Sequence, residues 1–183
     1  TSEEEVILRR EVQLLTRKPI LYVANIGEGQ IKDAGDPHVA KLREVAKAEN
    51  AEVVVISTKI ESDLSELSPE EAAEFMKDLG IEHSGLEQLA LAGYKLLDLI
   101  TYLTTGEKET RAWTIKKGYK APQAAGVIHT DFERGFIKAD IVAYEKLVEA
   151  GSWNAAIDKG WVRQEGKEYV MNDGDVVIFK FNV

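Results

Sequence analysis

Two groups of residues have the types and spacing to do chemistry. The first is Asn25-Ile26-Gly27-Glu28, a carboxamide and a carboxylate three positions apart, with Ser57-Thr58-Lys59 further along. Each follows an apolar run, Ile20 to Ala24 and Val53 to Ile56. The second is His129-Thr130-Asp131-Phe132-Glu133-Arg134, which puts an imidazole, a carboxylate and a guanidinium within six residues. The plain reading of the first group is two ordinary strand-end loops. That of the second is a solvated turn between core elements, and for this segment alone the residues favour it. The sharper reading of the second group is a surface presented to a polyanion. Lys116, Lys117, Lys120, Arg134 and Lys138 could converge with His129 on one such face. Tyr119 and Phe132 could stack on bases of single-stranded RNA, with Arg111 and Trp113 at the rim. Against this, scattered lysines are common on any surface, and Phe132 could equally be core.

Other chemistries lack their residues. The chain has no cysteine, so it has no disulfide, thiolate zinc site or Cys nucleophile. His38, His83 and His129 show no metal-ligand spacing, and no nucleophile elbow occurs. No Gly-x-x-x-x-Gly-Lys-Ser/Thr loop is present, and Gly27-x-Gly29 has neither the spacing nor the lysine. Phosphoryl transfer depends on holding phosphates and Mg²⁺, so this chain alone is expected to be inactive on nucleotides.

The composition, 44% hydrophobic and 30% charged over 183 residues, suits one globular domain or two small ones. No apolar run reaches the ~18 residues of a membrane helix, and no signal peptide is visible. A cytoplasmic protein is expected, with no membrane partner. Charge is uneven. Residues 1–104 hold 11 Lys+Arg against 20 Asp+Glu, and residues 105–183 hold 12 of each, so the whole net charge of −9 lies in the first part. Any nucleic-acid surface therefore belongs on the second part. No DNA sequence specificity is expected.

The positioning elements follow from pattern. An acidic start and apolar residues at 6, 8, 12 and 15 suggest a helix over 2–16. The unalternating run Ile20 to Ala24 reads as a buried parallel strand. Asp36-Pro37 supplies a cap and a proline for a helix to about Glu49, and Val53 to Ile56 forms the second strand of a right-handed β-α-β unit. Ser68-Pro69-Glu70-Glu71 and Ser84-Gly85-Leu86-Glu87 read as capping boxes. The second opens an amphipathic helix expected to run through Leu103, which puts a domain boundary at 104/105. Beyond it, short elements predict strands near 112–115, 136–142 and 176–181. Helices are expected at 144–150 and 153–159, and a tight turn at Asn172-Asp173-Gly174-Asp175. This is a small α+β unit. Gly126 and Gly135 flank the second group, where a backbone can reverse or approach another closely.

Three separated stretches carry a resemblance: 18–25 (Lys-Pro-Ile-Leu-Tyr-Val-Ala-Asn), 126–139, and 173–183 (Asp-Gly-Asp-Val-Val-Ile-Phe-Lys-Phe-Asn-Val). In this order, over nearly the whole chain, they resemble the C-terminal part of the YchF, or Obg-like ATPase, family of P-loop proteins with its TGS domain. The resemblance implies an α/β plus α+β architecture. Residues 1–104 would be the distal part of a P-loop nucleotide-binding domain, with the end of a helical insertion at 1–17. Residues 105–183 would be a β-grasp TGS domain. P-loop GTPases carry Asn-Lys-x-Asp at the first strand end and Ser-Ala-Lys at the second. There the Asn braces loops and reaches the purine N7 edge, and the Asp reads guanine. Here Ile26 replaces the Lys and Glu28 the Asp, which puts guanine recognition in doubt. In the resembled family this pattern goes with adenine, a preference that chemistry alone does not supply, since adenine N1 carries no proton for Glu28.

The resemblance thus implies base contacts from Asn25, Ile26, Glu28, Ser57 and Thr58. It implies a ribosome or RNA surface including Lys116, Lys117, Lys120, His129, Arg134 and Lys138. ATP, or GTP, and Mg²⁺ would be cofactors of a longer parent that hydrolyses ATP in preference to GTP, with the Mg²⁺ ligands outside this chain. Thr1 in place of a Met leads to the expectation of a fragment or processed piece. The alternative function is a β-grasp protein-binding module with no nucleotide role.

Overall fold

The computed structural model describes residues 7, 11, 12, 14–31, 36–106 and 109–182. Two compact units divide between Leu96 and Leu97. The helix expected over 2–16 lies largely outside the described residues.

In the first unit, β1 (Leu21–Asn25) and β2 (Glu52–Ile56) pair in parallel, from Leu21 opposite Glu52 to Asn25 opposite Ile56. The crossover is α1 (Pro37–Ala48), which buries Val39 and Ala46. Asp36 caps it, its Oδ1 accepting from the N–H groups of His38 and Val39 at 2.7 and 3.2 Å. Three helices follow: α2 (Thr58–Ser65), α3 (Pro69–Leu79) and α4 (Gly85–Leu96). The Ser68–Glu71 box forms as expected, and Gly80 closes α3 at φ 73°. The Ser84–Glu87 box also forms, through reciprocal bonds of 3.2 and 3.1 Å.

The helix expected to reach Leu103 stops at Leu96, and residues from Leu99 form a strand. The spacing Leu96, Leu97, Ile100, Leu103 fits a helical face, but 99–105 contains Ile100, Thr101, Tyr102, Thr104 and Thr105, residue types that favour strands. Asp98, at φ 51°, takes the chain out of helical geometry. The units therefore divide upstream of 104/105.

The second unit opens with β3 (Leu99–Thr105) and β4 (Thr110–Lys116), an antiparallel pair. Then come α5 (Ala121–Ile128), α6 (Thr130–Arg134) and β5 (Phe136–Ala143). The chain ends with α7 (Tyr144–Ala150), α8 (Trp153–Asp158), β6 (Arg163–Glu165) and β7 (Asp175–Phe181). The sheet order is β4-β3-β7-β5-β6, with β3 and β7 parallel at the centre and the other pairs antiparallel. One face packs on α5. Tyr102, Ile115, Ile141, Val177 and Phe179 meet the small residues Ala121, Ala124 and Ala125, which let the helix sit close. The buried Tyr102 hydroxyl donates to the Ala124 carbonyl at 2.9 Å. On the opposite face Leu103, Val142 and Val176 are covered by Leu147 of α7, Trp153 of α8 and Trp161.

The segment read as a turn, 129–135, is instead mostly the short helix α6. His129 caps it, its Nδ1 accepting from the Asp131 N–H at 3.2 Å. Gly135 then runs against the end of β7. A Cβ there would overlap the Asn182 carbonyl, so only glycine allows this approach.

Candidate functional site

The ends of β1 and β2 lie side by side because the register is parallel, and Ile26 N–H extends the ladder one step to the Ile56 carbonyl at 2.8 Å. That step brings Asn25 to the start of α2. Its Oδ1 accepts from the Thr58 N–H at 3.1 Å and from the Thr58 hydroxyl at 3.2 Å. Asn25 therefore caps a helix 33 residues away, a role usually filled by the residue just before the helix. With Oδ1 occupied twice, the amide NH₂ is what Asn25 has left to offer a ligand.

Ser57, at the cap position, does not cap. It is buried, and its hydroxyl has no partner among the described residues. Glu28 sits exposed in a single 3-10 turn, Glu28–Gln30. The turn is fixed by Gln30, whose Oε1 accepts from Gly27 N–H at 2.8 Å and whose Nε2 donates to Asp36 at 2.6 Å. Between this turn and α1 is a groove of about 370 Å³ lined by Asn25, Ile26, Gln30, Asp36, His38 and Leu42. Its size falls in the ~300–1,000 Å³ range of small-ligand clefts. Ile26 also lines a second, smaller pocket with Ser57, Ile60 and Gly85. The Lys59 ammonium is held above its usual range, first by its hydrogen bond to Asp63 and less by the charges of Glu28 and Glu66.

α2 is anchored at a second point. Both Glu61 carboxylate oxygens accept from the first turn of α4, from Gly85 N–H at 2.6 Å and Leu86 N–H at 3.2 Å.

Of the five base-contact candidates, Asn25 and Thr58 are hydrogen-bonded, Asn25 and Ile26 line the groove, Ser57 lines the smaller pocket with Ile26, and Glu28 is exposed on the 3-10 turn. Among the described residues no group of three or more His, Asp or Glu could hold a metal ion.

The basic candidates do not converge. Lys116 is opposite Leu99, whereas Lys138 is opposite Lys180. Leu103 is level with Val176, so these positions differ by about eight residues along the strands, roughly 25 Å at ~3.3 Å per residue. Lys117 and Lys120 belong with Lys116. Lys117 N–H donates to the Asp98 carbonyl, and Lys120 pairs with Glu168 at 2.6 Å. Arg134 precedes β5 at the Lys138 end. His129 faces Asp131 at 3.3 Å. Phe132, a candidate for stacking on a base, is itself stacked on Phe181 with ring centroids 3.8 Å apart, which favours the core reading. Arg111 lies over the Trp113 ring at 4.3 Å. Lys180, between Phe179 and Phe181 in β7, was not among the sequence candidates and lies opposite Lys138.

No helix among the described residues is long and apolar enough to cross a membrane.

Comparison with known proteins agrees with this architecture. The family model YchF-GTPase_C, described as a protein of unknown function (DUF933), matches residues 99–182, nearly the whole second unit. The ribosome-binding ATPase YchF of Bacillus subtilis is 56% identical over 183 residues, covering 100% of this chain and 50% of the relative. That of Haemophilus influenzae is 47% identical, again over 100% and 50%. Obg-like ATPase 1 of Pongo abelii is 40% identical over 99% of the chain and 46% of its own length. The solved YchF GTPase of Schizosaccharomyces pombe superposes with a TM-score of 0.85 at 38% identity, over 98% of this chain and 48% of that one. A GTP-binding protein of Pyrococcus horikoshii shares the fold, with a TM-score of 0.63 at 18% identity. The chain spans about half the length of the curated relatives it matches. With such identity sustained along its full length, the chain belongs to the YchF/Obg-like ATPase family.

Proposed function

We propose that the first unit is the base-reading edge of a YchF-like nucleotide domain and that the second is a β-grasp TGS module docking on the ribosome or its RNA. The observation that carries the nucleotide reading is the pair of hydrogen bonds that Thr58 donates to Asn25 Oδ1 at the ends of two parallel strands. Crevices at such strand ends are where open α/β sheets bind ligands. The pair commits the carbonyl and leaves the amide donors for a purine acceptor such as N7. Ile26, lining the groove, supplies an apolar surface for the ring. A bound nucleotide would therefore be held here by its base, with its phosphates and Mg²⁺ on residues outside this chain. The parent protein hydrolyses ATP in preference to GTP in this reading, but not through direct acceptance by Glu28, since adenine N1 has no proton to give. The docking reading draws on the names of the relatives, which are ribosome-binding ATPases, and on the second unit, which carries a net charge of −1 against −8 for the first.

The test uses a full-length protein that contains this chain. ATP should bind more tightly than 7-deaza-ATP by about five- to tenfold, the value of ~1 kcal/mol for one hydrogen bond. The Asn25→Ala variant should lose that difference. Equal binding of the two nucleotides by the wild type removes the base-reading assignment. Separately, the protein should co-sediment with ribosomes, and its absence from the pellet removes the docking assignment.

A further inference from the structure

Two lysines are turned toward each other by a fault in the sheet. From Phe136 opposite Phe181, regular antiparallel pairing would put Lys138 opposite Phe179, on the core side. A register shift between Phe136 and Lys138 instead brings Lys138 opposite Lys180 and Ala139 opposite Phe179. Bulges of this kind re-aim side chains and cluster near functional sites. Phe136, Ala139 and Phe179 stay in the core, and both lysines emerge on the other face.

Like charges directly opposite each other on a sheet destabilise it. Among the described residues the countercharge at this pair is Asp140. Lys180 lies 3.8 Å from Asp140, which is long for an ion pair, and the other Asp140 oxygen has no partner among the described residues. Lys138 donates to the neutral amide of Gln164 at 3.0 Å. Among the described residues Lys138 thus has a neutral partner and Lys180 a distant one. At the other end of the sheet Lys116 is opposite the apolar Leu99, so no second lysine faces it across the β3–β4 pair.

We propose that Lys138 and Lys180 form a clamp for backbone phosphates of RNA, and that this is the surface through which the second unit meets the ribosome. The inference rests on the docking reading and names its ligand. An anion laid across both ammonium groups relieves their repulsion. Recognition is by charge and spacing, without base readout.

The test is fluorescence anisotropy of a labelled RNA hairpin with the full-length protein across a salt series. Lys138→Ala/Lys180→Ala should weaken binding about tenfold and flatten the log K against log[salt] slope by about 1.5 to 2, for two phosphates. That variant should melt no lower than wild type, because it loses a repulsion. Asp140→Asn, which removes the carboxylate beside Lys180, should tighten binding about two- to fivefold at low salt. Lys116→Ala/Lys117→Ala should stay within twofold of wild type. An unchanged slope in the Lys138/Lys180 variant overturns the clamp, as does an equal loss in the Lys116/Lys117 variant. If wild-type protein pellets with ribosomes yet binds a polyglutamate peptide as tightly as RNA, docking stands and the RNA assignment falls. If it does not pellet at all, the docking reading itself has failed.

Discussion

Asn25 and Thr58 share a single oxygen: the carbonyl of one side chain accepts from both the backbone and the hydroxyl of the other. The arrangement does two jobs with separable groups. Oδ1 caps α2, and the amide nitrogen is left for the groove.

That separation gives the first prediction. Asn25→Asp keeps an acceptor at the start of α2, where a carboxylate is favoured by the helix dipole. It removes the only donor. Its stability should match wild type within about 1 kcal/mol, while ATP affinity of the full-length protein falls at least tenfold. Asn25→Leu should lose both, dropping stability by the ~0.5–2 kcal/mol of a lost cap. Urea melts paired with nucleotide titrations read the two effects. Parallel loss in both variants would mean that Asn25 is a cap and nothing more.

The second prediction concerns the fit of α4 on α2. A Cβ on Gly85 would stand 2.7 Å from Ile56 Cγ2 and 2.9 Å from Glu61 Oε1. The β-branched Ile56 side chain yields poorly, so Gly85→Ala should cost about 1–3 kcal/mol as overpacking. Glu61→Gln retains an acceptor and should be milder than Glu61→Ala, which leaves two N–H groups without it. Denaturant melts of the three variants give the order, and a Gly85→Ala protein as stable as wild type would show that the contact relaxes freely.

How much of this was legible in the sequence depended on distance along the chain. Asp36-Pro37, Ser68 with Glu71, and Gly151 after α7 act within one helical turn, and each appears where its residue type demands. Leu99 to Thr105 has apolar spacing that continues a helical face but β-branched and aromatic residue types that suit a strand, and pairing with β4 and β7 decides between them. His129 was weighed as a surface charge, yet its ring nitrogen does the work of a capping oxygen. The Asn25–Thr58 bond and the Lys138–Lys180 pair join residues far apart in the chain. Parallel register creates the first and a bulge the second, and neither leaves a local signal.

The third prediction is a pH dependence. Burial pushes the Tyr102 phenol well above its usual range. The folded chain then holds this proton where the unfolded chain releases it. Its contribution to stability is intact below the unfolded value near 10 and is lost as pH rises through the folded one. Stability should therefore fall with pH from about 10 upward. Tyr102→Phe should lower stability at neutral pH by about 1 kcal/mol, for the bond to Ala124, and flatten the alkaline fall. Urea melts at a series of pH values measure both, and an unchanged alkaline slope would assign the fall to other groups.

The fourth prediction concerns Gly135, which holds the end of the sheet closed. Asn182 N–H donates to the Gly135 carbonyl at 2.9 Å, and Gly135 N–H donates to the Asp131 carbonyl at 2.8 Å. The residue thus ties α6 to the last strand while leaving no room for a side chain. Gly135→Ala must push Asn182 away, and the nearest pairing to fail is Phe136 with Phe181. The Phe132–Phe181 stack should loosen with it. The expected loss is about 1–3 kcal/mol, with faster amide exchange at the β7 end near Phe181 than in its buried centre at Val177. Because Lys180 adjoins that end, the same variant should also weaken RNA binding if the clamp is correctly placed. Exchange that rises uniformly along β7 would instead point to global destabilisation and separate Gly135 from the local closure assigned to it.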